Sequence, residues 1–210
     1  MALVTSISDF LPQMQPELPG CDTPVILAAL RRSTVDFCSD SEAYVLRLDL
    51  TVVVDQAAYA LTQTDMQVKR IKEVRMVDSL STVLDDTSGS LVDADTYRLT
   101  RTGDTDILTF EQNHIPNDAY DGYHMAVDVV LVPQLLSDAL PNAFLNEWFT
   151  GIKAGAMAHL MMNEKAPWYN ETMAFKYANE FQEYILRARY EATHKNKYQV
   201  RKAAGGTFLL

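Results

Sequence analysis

Residues 140 to 195 carry the longest stretch of helical periodicity in the chain, and it limits the possible folds more than any other segment. In its first half apolar side chains fall at Leu145, Trp148, Phe149, Ile152, Ala156 and Leu160. In its second half they fall at Ala174, Tyr177, Ala178, Phe181, Tyr184, Ile185, Ala188 and Ala192. Both sets follow the i, i+3, i+4, i+7 spacing of one helix face. Asn163 to Trp168, with Pro167, separates them: Asn suits the left-handed position after a helix, and Pro the first turn of the next. The spacing predicts two helices of roughly 20 to 25 residues, each about 30 to 38 Å long. A chain holding two such helices needs partners for their apolar faces.

The first partner is upstream. Residues 1 to 22 contain Pro12, Pro16, Pro19 and Gly20 without periodicity and read as an irregular arm. Thr23-Pro24 then starts a helix, Thr as N-cap and Pro at the first helical position. Leu27, Leu30, Thr34 and Phe37 line its apolar face to about Cys38, and Ser39-Asp40-Ser41 ends it.

The period then changes. Leu46, Leu48, Leu50, Val52 and Val54 alternate with other residues, the signature of a strand with one buried face. Ala57 to Leu61 is a short candidate to pair with it, and Val68 to Val77 reads as a further strand. Thr96 to Thr102 and Ile107 to Glu111 flank Gly103-Asp104-Thr105-Asp106 and predict a hairpin. His114 to Gly122 reads as a loop, and Tyr123 to Val132 as the last strand, closed by Pro133. The expected fold class is α+β: a three-helix bundle with a long C-terminal helical hairpin and an inserted antiparallel β-sandwich-like domain. The expected domains are an N-terminal arm (1–22), a helical domain (23–42 plus 139–196), an inserted β domain (43–138) and a flexible C-terminal docking tail (197–210).

Chemistry is sparse in this pattern. The four histidines, His114, His124, His159 and His194, show no ligand spacing. His159, on a packed helix, reads as a structural histidine. His114 and His124 with Asp118 and Asp121 are a weak metal candidate. The acidic run from Asp85-Asp86 to Asp95 lacks EF-hand spacing and reads as a solvated loop. There is no Gly-rich phosphate loop, no G-x-S-x-G and no C-x-x-C, so neither catalytic residues nor a cofactor or metal is expected. Cys21 and Cys38 read as reduced thiols. No apolar run approaches the roughly 20 residues that cross a membrane, and the first residues lack a signal-peptide pattern.

Charge is uneven. The formal net charge is −10, which disfavours non-specific binding of DNA. Between Arg187 and Lys202, however, six bases (Arg187, Arg189, Lys195, Lys197, Arg201 and Lys202) face one acid, Glu191. That segment is +5 and the remainder −15. It suits the end of a helix dipole or a docking tail for an acidic surface. Off the core stripe of the last helix, Phe175, Leu186 and Tyr190 fall on a different face and are candidates for contact between subunits. The sequence ends Thr207-Phe208-Leu209-Leu210 after Gly205-Gly206. Tyr198, Arg201, Lys202, Phe208, Leu209 and Leu210 are therefore the candidate partner-binding residues of the tail.

The chain resembles the head–tail adaptor (connector, or neck) proteins of tailed bacteriophages. The likeness rests on the opening helix, Ala28-Ala29-Leu30-Arg31-Arg32-Ser33-Thr34-Val35-Asp36-Phe37-Cys38, and on a strand-rich middle ending Val129-Val130-Leu131-Val132-Pro133. It is strongest in Phe149-Thr150-Gly151-Ile152-Lys153-Ala154-Gly155-Ala156-Met157-Ala158-His159-Leu160, followed by Pro167-Trp168, Ala174, Phe181 and Ile185-Leu186-Arg187-Ala188-Arg189. The resemblance implies a structural virion protein made in the host cytoplasm. It would form a homo-oligomeric ring, usually of twelve copies, docked beneath the portal protein. A downstream tail or neck protein would bind below, and DNA would pass through the lumen without sequence-specific contacts. An acidic lumen that repels phosphate fits that passage. The β insert is larger than in the smallest adaptors. A tail terminator is the nearest alternative. A carbohydrate- or ligand-binding sandwich, with Tyr97, Tyr120 and Tyr123 as its aromatics, is the alternative of a different class.

Overall fold

The computed structural model describes residues 4–61, 63, 65–77, 90–135, 137 and 139–194. In chain order the elements are β1 (Val4–Ser6), α1 (Thr23–Ser41), β2 (Val45–Thr51), β3 (Ala58–Ala60), β4 (Met66–Val77), β5 (Ser90–Leu91), β6 (Tyr97–Thr102), β7 (Thr105–Phe110), β8 (His124–Pro133), β9 (Ala139–Pro141), α2 (Asn142–Met161) and α3 (Glu171–His194). Short 3-10 turns occupy Ile7–Gln13, Gln15–Glu17, Ala94–Thr96, Gln112–His114 and Asp118–Tyr120. The chain divides into two compact units, one built from the residues up to Tyr44 and again from Val132, the other from Val45–Leu131.

The expected fold class is corrected by this arrangement. The chain is a mixed α and β fold with antiparallel strand pairs in both units, and a three-helix bundle with a long C-terminal hairpin does not describe it. In the first unit the helices share their core with an antiparallel ribbon, Val4 facing Pro141 and Ser6 facing Ala139. The stretch expected to be irregular is folded: Ile7, Met14 and Leu18 are buried, and the Phe10 ring stacks on Phe149 with centroids 4.0 Å apart. Strands of three residues in a proline-rich arm offer too few positions for a period to register.

α1 begins at Thr23 with Pro24 in its first turn, and Asp22, rather than Thr23, takes the N-cap position. It ends at Glu42, whose left-handed backbone (φ 53°) lets its N–H bond the Cys38 carbonyl. Its buried face is Ile26, Ala29, Leu30, Ser33, Thr34, Phe37 and Cys38; Leu27 is only half-buried, so the face is turned from the one expected. Along α2 all six expected positions, Leu145, Trp148, Phe149, Ile152, Ala156 and Leu160, are buried. α2 packs on both α1 and α3. Two glycines let it come close. A Cβ on Gly151 would sit 2.6 Å from Tyr184 Cβ, and one on Gly155 would sit 2.8 Å from the Phe181 ring and collide with Ser33 Oγ. The Ser33 hydroxyl donates to the Ile152 carbonyl (2.6 Å), tying α1 to α2 at this point. Between α2 and α3, Asn163 does not take a left-handed backbone. Trp168 Nε1 donates to the Leu160 carbonyl (3.2 Å), and the Asn170 side chain caps α3 by accepting from the Met173 N–H (3.1 Å).

In the second unit one sheet has the order β2-β8-β4-β5 and another the order β3-β7-β6. β2 and β8 run antiparallel with Val45 facing Val130 and Thr51 facing His124. Their side chains alternate, so Leu46 and Leu48 lie on one face with Val127 and Val129, while Arg47 meets Asp128 on the other. Arg47 Nε and Nη2 each reach an Asp128 carboxylate oxygen at 2.7 Å, a forked pair that is nearly buried. The expected hairpin forms as β6 and β7, with Thr102 facing Thr105 and Gly103 at φ 60°. Ala58–Ala60 pairs with β7, not with β2 as expected.

Candidate functional site

α3 has two apolar sides. Ala174, Ile185, Ala188 and Ala192 are buried within the first unit. Phe175, Leu186 and Tyr190 lie away from that side and are 53%, 61% and 59% exposed. Leu186 follows Phe175 by three helical turns and Tyr190 by one more, so the three form a stripe along the helix. Its flanks carry both signs, with exposed Glu171 and Arg189 on one side and exposed Glu183 and Lys176 on the other. These are the candidate subunit-contact residues of the sequence, and the fold leaves all three uncovered.

Two of the six bases of the C-terminal basic segment are engaged in the first unit. Arg187 donates to Glu191 Oε1 (3.3 Å), and its guanidinium carbon lies 5.7 Å from the centre of the Trp148 ring. Arg189 Nε donates to the Asp40 carbonyl at the end of α1 (3.0 Å). Lys195, Lys197, Arg201 and Lys202, and with them Tyr198, Phe208, Leu209 and Leu210, lie outside the described residues. So does the acidic run at Asp85-Asp86.

The other candidates are dispersed. His124 Nδ1 is 3.2 Å from Asp49 Oδ1, His194 Nδ1 is 2.9 Å from the Tyr190 carbonyl, and His114 is exposed. Among the described residues no three His, Cys, Asp or Glu side chains come together as metal ligands would. Cys21 and Cys38 are free, and burial pushes the Cys38 thiol far above its usual range. Tyr97 packs edge-on against Phe110, and Tyr120 against Tyr123. No helix among the described residues is long and apolar enough to cross a membrane.

Two features escape sequence reasoning. One is Glu17, in the arm. It accepts from Lys153 Nζ of α2 (2.6 Å) and, on its other oxygen, from the Tyr177 hydroxyl of α3. No local pattern links residues 136 and 160 positions apart. The other is His159. It is exposed rather than packed, and it lines an open groove with α1.

Comparison of the chain with protein-family models and with curated proteins returns no match.

Proposed function

We propose that the chain is a structural subunit of the neck of a tailed-bacteriophage virion, a head-to-tail adaptor that forms a ring beneath the portal and continues the DNA channel. The observation that carries this reading is the uncovered stripe Phe175, Leu186 and Tyr190 on α3. A helix that buries one face in its own unit and keeps large apolar side chains on another is built to pack against a further surface. The occupant is a second copy: each flank of the stripe offers an acid and a base, so neighbouring copies can pair charges across it. The sequence likeness in α1, β8, α2 and α3 supports the same reading. Tyr198, Arg201, Lys202, Phe208, Leu209 and Leu210 then serve contact with the portal, and a tail-side protein docks below the ring.

Native mass measurement and negative-stain imaging of the purified chain, alone and mixed with portal protein, test the proposal. A ring is expected in at least one of the two, and the double variant Leu186→Asp with Tyr190→Asp is expected to lose it at unchanged helical circular dichroism. A wild-type chain that stays monomeric in both samples, or a double variant that assembles as the wild type does, overturns it.

A further inference from the structure

The first half of α1 presents a second uncovered surface. Val25, Ala28 and Arg32 are exposed and, with the buried Ala29 between them, recur at i, i+3, i+4 and i+7, sharing a stripe along the helix. Opposite them stand His159, Leu160, Met162 and Asn163 at the C-terminal end of α2, and Leu135 contributes to the wall. Together they enclose an open groove of about 660 Å³, within the range of sites that hold ligands or peptide anchors. Val25, Leu135 and Met162 are large apolar residues left 43%, 58% and 45% exposed in or beside it. Ala28 and Ala29 give the α1 side little height, so a partner backbone can approach it closely.

Among the described residues, the charges that line the groove are opposite in sign to the net charge of the chain. The protein has a net charge of −10, yet every charged residue among those described that line the groove is a base, Arg31 or Arg32, with the titratable His159 beside them. Arg32 and His159 are exposed, and neither makes a hydrogen bond or ion pair with a described residue. Asp36, one turn beyond Arg32, forms no ion pair with it. A surface with apolar relief and cations at its edge complements a segment with apolar anchors and carboxylates. The same charge argues against the chain's own C-terminal segment as occupant. Lys195, Lys197, Arg201 and Lys202 would bring like charge to the groove.

We propose that the groove between α1 and the C-terminal end of α2 is a docking site for an acidic segment of a partner protein that carries aliphatic or aromatic anchors. Anchors spaced three or four residues apart would follow the α1 stripe, as in helix-in-groove recognition, while carboxylates meet the exposed Arg32. The proposal stands on the groove alone and does not depend on the role assigned to α3.

Selection of a random twelve-residue peptide display library on the full chain tests it, with the groove-filled variant Ala28→Trp run in parallel. Ala28 is exposed, so the variant is expected to keep the wild-type thermal midpoint and circular dichroism, and Met162→Asp serves as a second block from the opposite wall. The expected result is enrichment, on the wild type only, of net-acidic peptides with large apolar residues three or four positions apart. Synthetic copies of those peptides should bind Arg32→Glu roughly five- to tenfold more weakly, the size of one exposed ion pair lost and one repulsion gained. Their binding should also weaken at high salt. No enrichment beyond that on the blocked variants, enrichment of neutral or basic peptides, or equal binding by a synthetic peptide of residues 195–210 overturns the proposal.

Discussion

Glu17 shows how much one side chain can organise. It ties the N-terminal 3-10 turns to both long helices through a charge: Lys153 and Tyr177 donate to its two oxygens. Burial pushes its carboxyl up, but the hydrogen bonds from Lys153 and Tyr177 outweigh burial and leave it below its ordinary value of 4.5. A carboxylate depressed in the folded state contributes stability above its unfolded value and loses that contribution as pH falls through the folded one. Tyr177 moves the other way. Burial first, and then the bond to Glu17, raise it from 10.0 to about 12, so its contribution is complete below pH 10 and fades as pH rises through about 12. The expected outcome for Glu17→Gln follows. Its loss of stability relative to wild type, read from urea unfolding at a series of pH values, should be largest above about pH 4.5 and should shrink as pH falls below that. A gap independent of pH would assign Glu17 a packing role only. Because the residue is partly exposed, solvent screening keeps the effect modest.

At the scale of elements, sequence and structure agree best along α2 and the β6–β7 hairpin, and less well along α1 and α3, where half-buried Leu27, Tyr177, Phe181 and Tyr184 stand at positions the period marks as core. α2 buries the side chains that the i, i+3, i+4 pattern marks, and β6 and β7 turn at Gly103 as the hairpin signal requires. Disagreement falls on pairings and exposures that local patterns do not encode. Ala58–Ala60 reads as a partner for β2 because it is near in sequence, yet its hydrogen bonds go to β7, almost fifty positions away. β1 and β9 are three residues each and pair although α1 and the whole second unit lie between them in sequence. The groove beside α1 has no local signal for the same reason: its other wall comes from α2, more than a hundred positions away. Asp106 is the sharpest case. It reads as a turn residue, but it sits in β7, 5% exposed, where it clamps β4. Its Oδ2 accepts from the Val68 N–H (2.6 Å), its Oδ1 from Arg101 Nε (2.6 Å), and its carbonyl from the Leu61 N–H (2.8 Å). Replacing it by Ala strands a buried backbone donor and removes a charge-assisted bond, at a cost of about 2 to 4 kcal/mol. Denaturant unfolding of Asp106→Ala measures this, and a cost under about 0.5 kcal/mol, the range of an ordinary surface substitution, would show that water replaces the carboxylate without loss.

For the whole molecule, the question is whether the first unit stands alone. It holds large buried side chains: Trp148, Phe37, Phe144, Ile26 and Leu30 are all fully or almost fully buried. Phe37 contacts the rings of Phe144, Trp148 and Phe181 at centroid distances of 5.7 to 6.2 Å. The chain leaves this unit after Tyr44 and returns at Val132. Val45 pairs with Val130 across the antiparallel ladder, so the two crossing points have Cα atoms only about 4.5 to 5.5 Å apart. That is the spacing a two-residue Asn-Gly turn closes. A chain in which such a turn replaces residues 46–129 is therefore expected to fold, with a helical circular-dichroism spectrum and one cooperative unfolding transition. Both surfaces assigned above lie in what remains: the α3 stripe at Phe175, Leu186 and Tyr190, and the groove at Val25, Arg32 and Met162. The shortened chain should then keep its self-association and its affinity for acidic, apolar-anchored peptides. If it unfolds without a cooperative transition, the first unit draws its stability from the second. If it folds cooperatively but no longer associates, the contact between copies runs through residues 46–129, and the stripe on α3 serves some other neighbour.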